Sequence, residues 1–231
     1  MIYVMSDIHG CYPQWLNMLK LIDFSVEDEL YILGDVVDRG QEPVPLLLDI
    51  MGRSNVYFIR GNHDDLAENL LRKIYIDGVE TLTSLDIKRL SNWLCDGGRV
   101  TKEQFRTLDC ETKQEVLDYI RGSPAYNELT VNDKKFILVH GGLPDIKPGK
   151  QLYDYDEKML MQTRPDYSKQ YCTDAILVTG HTPTFLIDEK HRGKIYRELN
   201  NIALDCGCVF GENLGCICLN NMKEYYVKKG D

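Results

Sequence analysis

Residues 1–10 read MIYVMSDIHG. Ile2 to Met5 form a short apolar run of the kind that becomes a buried strand, and Gly10 supplies a turn beyond it. Asp7 and His9 sit where the strand runs out. They are two residues apart, so an extended chain points both side chains the same way. A carboxylate and an imidazole at one strand end are good metal donors, and the same arrangement recurs downstream.

Residues 29–33 form a second apolar run ending in Gly34-Asp35, and 55–59 a third ending in Arg60-Gly61-Asn62-His63. Between them, residues 13–23 place Trp15, Leu16, Leu19 and Ile22 at helical spacing with Pro13 in the first turn, and 43–51 read as a second helix. Strand, helix, strand, helix, strand implies a parallel α/β core. Residues 65–121 are charged and helical in pattern, broken at Asp96-Gly97-Gly98, and read as a helical insertion spanning about 65–125. Strands return at 126–131 and 135–139 around the hairpin-like pair Asn132-Asp133, and again at 176–179. The second of these ends at His140 and the third at His181. No repeat or long linker is visible, so residues 1–231 are expected to form one domain.

Composition narrows the function. The 231 residues carry a formal charge of −9. That speaks against a nucleic-acid or anionic-membrane partner, because both need a basic surface. No stretch approaches the length of a membrane span, and the N-terminus lacks a signal-peptide pattern, so the cytoplasm is the expected compartment. In that reducing compartment the eight cysteines are expected as free thiols. Cys206, Cys208, Cys216 and Cys218 could make a zinc site. The preferred reading is a hairpin of strands 202–209 and 214–219 around Gly211-Glu212-Asn213, with each cysteine pair packed on one face.

Of five histidines, four fall at strand ends, together with Asp7, Asp35 and Asn62. In parallel α/β sheets that is where ligands bind. Mixed carboxylate and imidazole donors suit borderline divalent metals, and so many donors suit two ions better than one.

DIHG, GDVVDRG, RGNHD, HGG and GHT, in this order over residues 5–182, resemble the phosphoprotein-phosphatase branch of the calcineurin-like metallophosphoesterases. LDCGCVFGENLGCICL is similar to the family's final strands, and the length resembles compact bacterial and phage members. The resemblance implies an α/β sandwich of mixed sheets flanked by helices. It also implies two divalent ions, manganese first with iron or zinc as alternatives. Asp7 and His9 would bind one ion, Asp35 would bridge, and Asn62, His140 and His181 would complete the second. A hydroxide held between the ions would attack phosphorus. His63 would be the general acid, oriented by Asp38. Arg39 and Arg164 would clamp phosphate, with Asn62 also near substrate and Arg60 ranked below Arg164 as a support. Asp64, where the family more often has Glu, is read as a helix cap that leaves the chemistry intact. Trp93, Asp96, Gly97, Gly98 and Thr101 are similar to a cleft-lining segment of bacterial members, and read equally well as a helix stop. Tyr153, Tyr155, Tyr167 and Tyr171 could frame a groove near Arg164. The expected activity is a serine/threonine phosphoprotein phosphatase. The alternatives are a dinucleoside polyphosphate hydrolase and a non-catalytic metal-binding module. Oligomeric state is not legible.

Overall fold

The computed structural model describes residues 1–144, 151–228 and 230. Its first half follows the sequence pattern closely. Strand β1 (Ile2–Met5) leads through helix α1 (Tyr12–Leu21) to β2 (Glu29–Leu33), and helix α2 (Pro43–Met51) leads to β3 (Val56–Ile59). These three strands pair in parallel, Ile2 opposite Glu29 and Leu30 opposite Val56. Their side chains alternate between two cores. Tyr3, Met5, Leu30, Ile32, Val56 and Phe58 pack against the helices, whereas Val4, Tyr31, Leu33 and Ile59 face the other way. Both faces are covered, which is why the strands read as nearly unbroken apolar runs.

Four helices follow, α3 (Asn62–Arg72), α4 (Ser84–Trp93), α5 (Arg99–Arg106) and α6 (Cys110–Gly122). Gly97 adopts φ 100° between α4 and α5, a left-handed conformation that breaks the helix. A second sheet is built from β4 (Tyr126–Val131), β5 (Lys134–Val139), β6 (Ala175–Thr179), β7 (Tyr196–Glu198) and β8 (Asn201–Ala203), with short helices α7 (Glu157–Gln162) and α8 (Thr184–Ile187) outside it. Strands β4 and β5 pair antiparallel around Asn132 and Asp133, both at positive φ, as the hairpin reading requires. The order is β4-β5-β6-β8-β7. Phe136, Leu138, Val178 and Ile202 meet Val4, Leu33 and Ile59 between the sheets, which gives the expected mixed sandwich.

The expected hairpin of 202–209 with 214–219 does not form. β8 joins the second sheet beside β6, whereas β9 (Asn213–Cys218) crosses to the first and pairs with β1. Its other neighbour is β10 (Glu224–Lys228), which completes the order β10-β9-β1-β2-β3. Both segments are largely buried and find separate edges to fill, so their nearness in sequence does not pair them. The cysteines do not divide by segment, and Cys206 and Cys208 part company. Cys206 lies between the sheets, whereas Cys208, Cys216 and Cys218 lie in the core under the helices.

Candidate active site

The loops after β1, β2, β3, β5 and β6 meet at one end of the sandwich and are stitched together by backbone bonds. Asp7 N donates to Gly34 O at 3.1 Å, His9 N to Asp35 O at 2.9 Å and Gly180 N to His140 O at 2.8 Å. Asp7, His9, Asp35, Asp38, Arg39 and His181 all hold positive φ. Each such non-glycine residue costs on the order of 1 kcal/mol. Strain gathered on the very side chains singled out from sequence points to a working site.

Asp35 is central. Its Oδ2 lies 3.5 Å from His9 Nε2 and its Oδ1 3.4 Å from His140 Nε2. His9 Nδ1 bonds Val37 O at 2.7 Å and His140 Nδ1 bonds Leu33 O at 2.6 Å, so both rings aim Nε2 at the carboxylate. Asn62 Oδ1 lies 3.1 Å from His140 Nε2. Two donor groups result, His9 with Asp35 and His63, and Asp35 with His140 and His181. In each, one donor atom from every residue lies within 4.8 Å of the others. Buried imidazoles around a shared carboxylate suit borderline divalent cations.

Protonation supports that fit. Burial lowers His9 to about 3, against the pull of Asp35, and lowers His181 to about 3 with help from His140. Both therefore offer lone pairs at neutral pH. Burial opposes charge on His140 too, but Asp35 outweighs it and raises the ring to about 10. A cation bound there must displace that proton. Asp7 lies outside both groups. Its Oδ2 accepts His181 N–H at 2.9 Å and the Ser6 hydroxyl. Burial pushes its carboxyl up to about 6, against the pull of His140.

Beside these donors stands a second constellation. His63 Nδ1 bonds Asp38 Oδ2 at 2.7 Å. Asp38 is wholly buried and also accepts from Trp93 Nε1 and Thr101 Oγ1, both at 2.7 Å. Burial pulls the His63 ring down, but Asp35 and Asp38 more than offset this and its pKa is raised. The Arg39 guanidinium lies 2.7 Å from His9 Nε2 and 2.8 Å from His63 Nε2, and donates to Asp96 at 3.3 Å. Both readings of the 93–101 segment therefore hold. Gly97 stops the helix and presses on Arg39, where an added Cβ would come within 2.6 Å of Cγ, while Trp93 and Thr101 grip Asp38.

Arg164 reaches the rim, donating to His181 O at 3.2 Å and Thr182 Oγ1 at 3.1 Å. Arg60 points away, pairing with Glu157 at 2.5 Å and with Asp65 at 3.7 Å. Asp64 is more than a helix cap. Besides Gly61 N–H, its carboxylate accepts from the backbone of Asp35, Val36 and Val37, so it locks the β2 and β3 loops together. The tyrosine groove does not assemble. Tyr153 is exposed, Tyr155 and Tyr171 pack outside the second sheet, and Tyr167 is buried with its hydroxyl 2.7 Å from Thr179 Oγ1. Residues not anticipated at the site are Ser6, Thr182 and the buried Asp205, whose carboxyl is raised by burial and by Asp7.

The calcineurin-like phosphoesterase profile matches residues 1–212. The chain belongs to this family. As a calcineurin-like phosphoesterase it is a metal-dependent hydrolase of phosphoesters. It is 26% identical to the bis(5'-nucleosyl)-tetraphosphatase PrpE [asymmetrical] of Anoxybacillus flavithermus, over 98% of this chain and 94% of that protein. It is 28% identical to serine/threonine-protein phosphatase 2 of Salmonella typhimurium, over 68% of this chain and 63% of that protein. In structure it resembles a protein serine/threonine phosphatase of Saccharomyces cerevisiae, with TM-score 0.59, 16% identity, and 100% and 80% of the two chains covered. The Salmonella relative accords with the phosphoprotein-phosphatase branch that the motifs resemble. No helix among the described residues is long and apolar enough to cross a membrane.

Proposed function

We propose that this phosphoesterase hydrolyses dinucleoside polyphosphates, with phosphoserine or phosphothreonine proteins as the second reading. The order expected from sequence is thereby reversed. The near-full-length relationship to a bis(5'-nucleosyl)-tetraphosphatase supports the first. The shorter match to the Salmonella phosphatase supports the second. Asp7, His9 and Asp35 would hold one divalent cation, and Asp35, Asn62, His140 and His181 another, with manganese, iron or zinc as candidates. When bound, such a pair polarises phosphoryl oxygens and makes water nucleophilic near neutral pH.

The observation that carries catalysis is the Asp38–His63–Arg39 chain beside those donors. A site that merely stored metal would need none of it. Asp38 fixes the His63 ring through Nδ1 and leaves Nε2 to deliver a proton to the departing oxygen. The Arg39 guanidinium lies at that same Nε2, and its planar fork suits two phosphate oxygens. Arg164, held beside His181 by Thr182, would take another.

The test compares kcat/KM for diadenosine tetraphosphate with that for a phosphoserine and phosphothreonine peptide panel, with manganese supplied. The dinucleotide is expected to win. A strong preference for the peptides restores the other order. Failure to turn over either, or an aryl phosphate, would leave only the metal-binding module.

A further inference from the structure

Next to the proposed phosphate clamp, two phenylalanine rings lie between two arginines. Arg39 Cζ lies 5.7 Å from the centre of the Phe210 ring. Phe210 and Phe185 meet edge to face, with centres 6.2 Å apart and planes at 89°. Arg192 Cζ lies 4.5 Å over Phe185. The two outer members differ. Arg192 is neutralised by Glu189 at 2.6 Å and Glu212 at 3.1 Å, so it covers Phe185 rather than offering a charge. Arg39 stands among the site residues. Phe210 is 55% exposed, although its neighbours on the β8–β9 crossing, Cys206 and Cys208, are buried.

The backbone holds that ring out. Cys208–Phe210 is a single tight turn bounded by Gly207 at φ 81° and Gly211 at φ 99°. Both glycines take a left-handed conformation that other residues enter only with strain. Phe185 presses on Gly207, where a Cβ would lie 3.1 Å from its Cε1, and so braces the turn from behind. Exposure alone would say little of a single ring, but this one is held out beside Arg39, within reach of a ligand bound at the clamp.

We propose that Phe210 is a stacking platform for a nucleobase, whose own phosphate is held by Arg39. This rests on the dinucleotide reading of the site and specifies how it is met. Every base has a π-face, and stacking on an aromatic side chain is tolerant of base identity. One guanidinium serves both partners. Arg39 lies 2.8 Å from His63 Nε2 and 5.7 Å from the Phe210 centre. Base and reacting phosphate therefore belong to one nucleotide, not to the two ends of a long polyphosphate. A phosphopeptide offers such a ring only where an aromatic residue happens to flank the phosphorylated one.

The experiment separates this from the choice of substrate by reading inhibition. AMP and inorganic phosphate are compared as competitive inhibitors of parent, Phe210→Ala and Phe210→Trp enzymes, with whichever phosphoester the parent turns over as reporter. AMP is expected to inhibit the parent about tenfold or more better than phosphate, from the usual worth of one base–aromatic stack. Phe210→Ala should remove that advantage and leave phosphate inhibition within about twofold, and Phe210→Trp should restore it. Phe210-dependent AMP inhibition without hydrolysis of diadenosine tetraphosphate keeps the platform and drops the substrate. Hydrolysis of the dinucleotide with AMP inhibition indifferent to Phe210 drops the platform alone. Equal weakening of AMP and phosphate would make Phe210 a prop for Arg39 and overturn the proposal, as would a parent that binds AMP no better than phosphate.

Discussion

Replacing Asp38 with Asn tests the proposed acid without emptying the space around it. Asp38 is fully buried and accepts three hydrogen bonds at 2.7 Å, from His63 Nδ1 and Trp93 Nε1 on Oδ2 and from Thr101 Oγ1 on Oδ1. The amide can turn its oxygen to the first two and its NH2 to the Thr101 hydroxyl, which has acceptor capacity, so the fold should survive with little loss of Tm. What disappears is charge. A hydrogen bond to a charged partner contributes about 1.5–3 kcal/mol and a neutral one about 1, so the imidazolium loses roughly 1–2 kcal/mol. At about 1.4 kcal/mol per pKa unit, His63 should fall by about one unit. An acid works protonated, and activity is lost as pH rises through its pKa. Lowering that pKa therefore moves the alkaline limb of the pH–kcat profile to lower pH by about one unit. On the alkaline limb, above the parent pKa, turnover of alkyl phosphates should drop by up to about tenfold, with little change on the acid side, while aryl phosphates, whose leaving oxygen needs little help, should lose much less. The assay is a pH–rate profile for one ester of each kind. An alkaline limb that stays in place, or equal losses for both esters, would refute the proton-donor role.

His63→Asn should steepen the plot of log turnover against leaving-group pKa, with alkyl ester turnover down ~10²–10⁴-fold. Metal content should stay near normal, so loss of an ion on elemental analysis would make His63 a ligand, as its place in one donor group allows. Asp35→Asn should weaken binding of both cations and abolish most activity while circular dichroism shows the sandwich intact, and two tightly held ions with normal turnover would remove Asp35 from the bridge. Asp64→Ala strands four backbone N–H groups at about 1–3 kcal/mol each when buried. It should therefore lower the denaturant midpoint far more than Asp65→Ala, and equal midpoints would show that water replaces the carboxylate. Replacing Cys206, Cys208, Cys216 and Cys218 with Ala should lower Tm through lost packing and leave metal stoichiometry unchanged. Loss of a bound zinc in that variant would revive the thiolate site.

Much of this protein was legible in its chain because the information was local. An apolar run that stops at a donor residue states both a strand and its working end, and five such stops located Asp7, Asp35, Asn62, His140 and His181 before any pairing was known. Helix spacing and the Asn132-Asp133 turn are likewise short-range signals, and α1, α2 and the β4–β5 hairpin appear where they were read. Pairing is not local. Residues 201–203 and 213–218 carry similar buried runs around a plausible turn, yet the two join different sheets, because each sheet offered an edge and alternation does not say which. Asp38 gives no sign in sequence that Trp93 and Thr101, more than fifty residues on, will enclose it. Nor does Asp64 reveal that its cap also holds Asp35, Val36 and Val37. Phe210 was one aromatic among many until the β8–β9 crossing set it beside Arg39. The chain named the donors, since their chemistry is intrinsic to each residue. Which groups hold, charge and surround them was decided by packing between segments far apart in sequence.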